Sequence, residues 1–205
     1  MTTVEKMLSI GHTYLNANEA TKHELMAYYN EHCFKLVKPE RRYRIQHHDN
    51  WCAMFVSVLA HKAGNMFFPF EVSVYYQTII AKTLGTLKTP FDYKPKVGDL
   101  VVYDWSGRGG FNHVGIIAEI DSGVLKVLEG NYRKTVGYRF VHTTSKFIRN
   151  YIVGDAKGLA VVDDSERINA LVAKVMRGEL GDGDDRVKAL GKDYRAVQDV
   201  INRLL

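Results

Sequence analysis

Cysteine is scarce in this chain of 205 residues: there are two, Cys33 and Cys52. That is too few for a disulfide scaffold, and the default in a chain without a targeting segment is a pair of free thiols. Long apolar runs are also missing. No stretch approaches the roughly 20 consecutive apolar residues needed to cross a bilayer, and the opening MTTVEKMLSIGHTY lacks the apolar core of a signal peptide. The expectation is a protein made in the cytoplasm without stable membrane insertion, which another agent must release if its target lies outside the membrane.

What is present fits an ordinary globular chain. It is 46% hydrophobic and 25% charged, and long enough for one medium domain plus a small one. The net charge of +5 is uneven. Residues 164–205 hold eight acidic and eight basic side chains, so the whole excess lies in residues 1–163, which would be drawn to an anionic polymer. Nucleic acid, a teichoic-acid-bearing wall and anionic lipid all qualify, and charge alone does not choose.

Three textures follow one another. Residues 4 to 35 read as one or two helices, with Leu25, Met26, Tyr29 and Phe34 spaced for a buried stripe. From 49 to 63 a helix is expected, capped by Asp49 or Asn50, carrying Phe55, Val56, Leu59 and Ala60 at helical spacing and ended by Gly64-Asn65; Cys52 falls in its first turn. After a second helical segment near 72–83, the runs 100–105, 113–120, 124–131 and 136–141 are β-rich and separated by turn residues, which predicts an antiparallel meander. Helices first and then a sheet is an α+β fold. Beyond Gly154 the composition shifts again, giving a linker over 156–164 and a compact three-helix unit over 165–205, with the main domain at 1–155.

A thiol is a useful nucleophile only as thiolate, and a helix N-terminus with a nearby imidazole favours that form. Cys52 sits where the helix dipole would act. His113 opens the strand HVGIIAEI, while Glu129 and Asn131 close the strand VLKVLEGN. If Asp121-Ser122-Gly123 is a three-residue hairpin loop with Ile120 facing Val124, the ladder sets His113 opposite Asn131 with Glu129 on the diagonal. A bulge would exchange those two partners. Either can orient the imidazole toward a thiol, the logic of a Cys-His-Asn or Cys-His-acid arrangement.

The segments Asn50-Trp51-Cys52-Ala53-Met54-Phe55-Val56, Val97-Gly98-Asp99-Leu100-Val101-Val102-Tyr103, Asn112-His113-Val114-Gly115-Ile116-Ile117 and Glu129-Gly130-Asn131 occur in the order found in the CHAP family. The chain resembles those cysteine, histidine-dependent amidohydrolases and peptidases of the papain-like superfamily over about residues 30–155. The resemblance implies a papain-like domain in which Cys52 attacks an amide carbonyl, His113 shuttles the proton, and Glu129 or Asn131 orients it. Oxyanion donors are expected from the backbone N–H of Cys52 and from the stretch 46–51, where Gln46 resembles the upstream glutamine of papain-like enzymes. Trp51, Tyr103 and Trp105 are candidates to line the cleft, with core packing as the alternative, and Cys33 reads as a buried structural thiol. Some family members place an aspartate-rich calcium loop before the cysteine; here that stretch, Glu40-Arg41-Arg42-Tyr43-Arg44-Ile45-Gln46-His47-His48-Asp49, carries three arginines that oppose calcium. His47 and His48 lack further spaced ligands for zinc. No metal and no cofactor are expected.

The tail, with Val175-Met176-Arg177-Gly178-Glu179-Leu180-Gly181-Asp182-Gly183-Asp184-Asp185-Arg186 and then Leu190-Gly191-Lys192-Asp193-Tyr194, is similar to a single copy of the wall-binding repeat of certain streptococcal-phage lysozymes. That resemblance implies contact with peptidoglycan, for which Asp185, Arg186 and Tyr194 are the candidate residues. No strand precedes its glycines, so a phosphate loop is rejected. Together the two resemblances imply a phage endolysin that cleaves an amide bond in the wall peptide of a Gram-positive bacterium and lyses the cell, as amidase or endopeptidase, with no nucleic-acid partner. Two other classes stand beside it: a catalytically silent wall-binding or virion-associated protein, and an intracellular papain-like hydrolase. A one-copy tail would gain avidity from self-association as a homo-oligomer.

Overall fold

The computed structural model describes residues 1–65, 69–154 and 165–204. Its main body places helices on one face of a six-stranded antiparallel sheet, which is the α+β arrangement expected. Helix α1 (Thr3–His12) starts with a reciprocal capping box: Glu5 N–H donates to Thr2 Oγ1 at 3.1 Å and Thr2 N–H donates to Glu5 Oε2 at 2.7 Å. Helix α2 (Glu19–Tyr28) is capped by Asn18, then widens into a π turn and tightens into short 3-10 turns before the chain reaches α3 (Cys52–Ala63) and α4 (Val74–Thr83). Ten of the twelve residues of α3 are buried, which is why this helix is apolar nearly all round rather than striped.

The strands are β1 (Leu87–Lys88), β2 (Leu100–Tyr103), β3 (His113–Asp121), β4 (Val124–Tyr132), β5 (Thr135–His142) and β6 (Ile148–Ile152). Their spatial order is β1-β6-β2-β3-β4-β5. The four central runs of the meander stand where periodicity puts them. Strand β6 has no counterpart in the sequence reading: it is a short run carrying Arg149 and Asn150, held by non-local pairing with β2, for example Leu100 with Ile152.

The β3–β4 hairpin departs from the expected register at its tip and then recovers it. The turn has two residues, Ser122 and Gly123, both at positive φ (47° and 82°), so Asp121 pairs with Val124 and Ile120 with Leu125. An irregularity between Ile117 and Glu119 absorbs one residue, after which Ile117 pairs with Val127 and Ile116 with Leu128. Continued toward the open end, that register brings His113, Glu129 and Asn131 to the same end of the hairpin.

The expected linker at 156–164 lies outside the described residues. Helices α5 (Ser165–Met176), α6 (Gly183–Leu190) and α7 (Tyr194–Leu204) follow, with α5 packed on α7 through buried Val172, Val175, Val197 and Ile201. Among the described residues no helix is long and apolar enough to cross a membrane.

The contact between the end of β4 and the start of α3 depends on Gly130. A Cβ there would stand 2.4 Å from the Phe55 Cβ and 2.6 Å from its ring, so only a glycine lets strand and helix approach this closely. Gly130→Ala is expected to lower the unfolding free energy by about 1–3 kcal/mol, the usual cost of overpacking a filled core, read by urea denaturation. An unchanged midpoint would show that Phe55 can yield without strain.

Candidate active site

Cys52 is the first residue of α3 and is 3% exposed. The residue before it, Trp51, holds the N-cap position but makes no side-chain cap, and the first intrahelical bond runs from Phe55 N–H to the Trp51 carbonyl at 2.9 Å. The expected caps are engaged elsewhere. Asp49 Oδ2 accepts from the Gln46 N–H at 2.7 Å and from the Tyr43 hydroxyl at 2.9 Å, and Asn50 Oδ1 accepts from Asn131 Nδ2 at 3.0 Å. The N–H groups of the first turn, that of Cys52 included, thus have no intrahelical acceptor and no side-chain cap, leaving the positive end of the helix dipole beside the sulfur.

His113 is the first residue of β3 and pairs across the ladder with Tyr103 of β2, whose ring centroid lies 5.8 Å from the imidazole. Its Nε2 lies 2.9 Å from Glu129 Oε2, within ion-pairing distance although not on the line of the ring N–H. Burial opposes charge on the imidazole, but hydrogen bonding to Cys52 and to Glu129, together with their negative charges, outweighs it, and His113 is pushed up to about 9. The imidazole therefore bridges the thiol and the carboxylate. Tyr103, almost wholly buried beside Glu129, has its hydroxyl held well above the usual phenol range, by burial first and by the carboxylate second.

Glu129 has no solvent exposure, and its second partner is Arg139 of β5, whose Nε donates at 2.8 Å to Oε1 and 3.0 Å to Oε2. In the β4–β5 ladder Glu129 faces Gly137, whose missing side chain makes room for the Tyr132 ring, and Arg139, two residues along β5, reaches Glu129 from the diagonal. Arg139 escaped the sequence reading. An arginine two residues along a neighbouring strand carries no local motif, and only the register reveals it.

Asn131 adopts a left-handed backbone (φ 57°) and turns to Asn50, tying the end of β4 to the residue two before the cysteine. Gln46 is exposed and donates through Nε2 to the Arg44 carbonyl at 2.8 Å, an engagement that occupies its amide locally. Trp51, expected at the cleft, is instead 2% exposed and packs edge-on against Phe55, because the close approach of β4 and α3 encloses it. Trp105 is 37% exposed and stacks on Tyr103 with ring centroids 4.6 Å apart, adjoining His113. The loop between Trp105 and His113 is organised by the Asp104 carboxylate, which accepts from the backbone N–H groups of Ser106, Gly107, Gly109 and Gly110. In the tail, Asp185 is exposed, Arg186 folds back onto the Gly181 carbonyl and Asp182, and Tyr194 is half-buried against the helical core.

The second thiol behaves differently. Cys33 is fully buried, contacts the Ser57 carbonyl at 3.9 Å and is pushed up to about 12 by burial. Alkylation of the native protein at pH 7 is expected to label Cys52 and spare Cys33, by peptide mass mapping; preferential labelling of Cys33 would refute that order of reactivity. For His113 the folded value lies above the unfolded one of ~6.5. Its contribution to stability is therefore complete below about pH 6.5 and is lost as pH rises through about 9. Urea denaturation of wild type and His113→Gln across that range should show their difference shrinking with pH, and a constant difference would mean that the imidazole is neutral in the fold.

No curated protein and no solved structure matches the chain. Two family matches are found: a CHAP domain over residues 43–131 and a CW_7 repeat over residues 169–205. Cys52, His113, Glu129 and Asn131 all fall inside the first, and α6 and α7 inside the second. The match over residues 43–131 to a CHAP domain implies a cysteine/histidine amidohydrolase or peptidase acting on peptidoglycan, and the match over residues 169–205 implies a cell-wall-binding repeat.

Proposed function

We propose that the protein is a lytic peptidoglycan hydrolase, an endolysin, that cleaves an amide bond of the wall peptide through Cys52, His113 and Glu129. The observation that carries this reading is the imidazole of His113 held between Cys52 and the buried carboxylate of Glu129 at the uncapped start of α3. In this mechanism the Cys52 thiolate adds to the scissile carbonyl carbon, and the electron pair moves to the carbonyl oxygen, which the free N–H groups of the first turn of α3 receive. His113 then gives its proton to the departing amine as the C–N bond breaks, leaving a thioester. Water, losing a proton to His113, adds to the thioester; the C–S bond breaks, the carboxylic acid product leaves, and the thiolate returns. Glu129 stabilises the imidazolium and fixes the ring throughout.

Asn131 supports the site by holding Asn50, and Trp105 offers its exposed ring to the substrate beside His113. The tail keeps the enzyme on its polymer, Asp185, Arg186 and Tyr194 being its proposed contacts, and the domain limits are proposed at 1–155 and 165–205. The positive excess of the catalytic part adds attraction to an anionic wall.

Purified Gram-positive walls should lose turbidity with wild type, and the soluble fragments, read by mass spectrometry, should carry new termini that name the bond. Cys52→Ala is expected to lower the rate by about a thousandfold or more, with His113→Ala comparably impaired because the two act as a unit. Both variants should still sediment with the walls through the tail. Clearing by Cys52→Ala at the wild-type rate would end the thiol mechanism, and sedimentation without clearing by wild type would point to a silent wall-binding protein.

A further inference from the structure

Arg139 is the one cation bound to the carboxylate that meets His113 among the described residues, and it lies on β5, outside the segment 43–131 that carries the family match. Its Nε contacts both carboxylate oxygens, at 2.8 and 3.0 Å, while His113 takes only Oε2. The guanidinium is held on its faces as well: its carbon lies 4.6 Å from the Trp105 ring centroid and 5.0 Å from that of Tyr132. Trp105 in turn stacks on Tyr103, the cross-strand neighbour of His113.

A wholly buried carboxylate charge is costly unless it is paired and hydrogen-bonded. A carboxylate with one partner can also rotate about its terminal bond, which is a soft torsion. The Arg139 side chain, 29% exposed and clasped by two rings, removes both problems by compensating the charge and fixing the carboxylate plane. We propose that Arg139 is a positioning residue for the hydrolysis: it locks Glu129 with Oε2 turned to His113 and so sets the protonation and orientation of the imidazole that serves Cys52. This rests on the assignment of His113 as the acid–base group.

The groups facing the imidazole are Cys52 from α3, Tyr103 from β2 and Glu129 from β4; Arg139 of β5 reaches it only through Glu129, and the Asp104 carboxylate is committed to its own loop. Removing Arg139 leaves Glu129 free to turn away or take up a proton, and either change withdraws the partner that favours the imidazolium. The His113 midpoint should then fall toward its ordinary value. A residue that merely filled space would leave that midpoint in place.

The test uses the full chain as wild type, Arg139→Lys and Arg139→Met, with histidine carbon-13 NMR titration of His113 (assigned through His113→Gln) and with kcat and KM on a soluble wall peptide. In Arg139→Met the midpoint should drop by about one pH unit or more, and kcat by about tenfold, with KM changed less than about twofold. Lysine restores the charge but not the two-oxygen contact, so Arg139→Lys should fall between wild type and methionine in both readouts. An unchanged midpoint and kcat in Arg139→Met overturns the proposal. If the methionine variant does not fold, Arg139→Lys decides, since a wild-type midpoint with wild-type kcat overturns it equally. Should wild type cleave no wall peptide, the hydrolase reading fails by itself, and the NMR midpoints still decide whether Arg139 governs His113.

Discussion

Glu129 carries a carboxylate to which water has no access, and a charge in that position has to be answered from within the protein. It is answered twice, by the imidazole of His113 and by the guanidinium of Arg139. Each partner comes from a different strand, so the ion cluster forms only when β3, β4 and β5 are all in register. The same cluster draws in Tyr103 through its cross-strand pairing with His113, and Trp105 through its stacking on Tyr103 and Arg139. A site assembled around one buried anion is thereby coupled to the integrity of the sheet, and the proton affinity of the imidazole is a property of the whole cluster.

The other half of the site comes from a helix that approaches the sheet unusually closely. Gly130 removes the side chain that would hold β4 away from Phe55, and Asn131, turned by its left-handed backbone, joins Asn50 across the gap. Neither Asp49 nor Asn50 spends its side chain on capping α3, and the N–H groups of the first turn, that of Cys52 among them, are left without a side-chain cap. A helix that forgoes its cap gives up stability, commonly about 1 kcal/mol. The N–H groups left without a cap are those an oxyanion would need. The two cysteines show how much environment decides here. Burial pushes the Cys33 thiol up, whereas Cys52 stands at a helix start within hydrogen-bonding reach of the His113 imidazole.

Much of this was legible in the one-dimensional chain. Helical spacing around Phe55, Val56, Leu59 and Ala60 located α3 and put Cys52 in its first turn, since burying a nearly complete helix demands an apolar residue at almost every position. The β-rich runs and their turn residues placed β2 to β5, because antiparallel neighbours joined by tight turns are local in sequence. The motifs around Cys52, His113 and Glu129 to Asn131 sufficed to name the family matched by residues 43–131. The tail's spacing likewise marked α5 and α7 and the repeat at 169–205.

What the sequence determined by itself was the inventory: a thiol at a helix start, an imidazole opening one strand, and a carboxylate and an amide closing the next. Tertiary structure decided which of them meet. The irregularity in β3 cancels the two-residue turn and restores the expected register, with Asn131 opposite His113; the partner is nevertheless the diagonal Glu129, because a positive φ at Asn131 aims its amide at Asn50, which hydrophobic alternation does not encode. Strand β6, paired only with segments far along the chain, and Arg139, reaching Glu129 from a diagonal position on β5, were invisible for the same reason. Local patterns report the torsional and burial preferences of neighbouring residues, while a buried ion pair between strands is fixed by register, and register is a property of the assembled sheet.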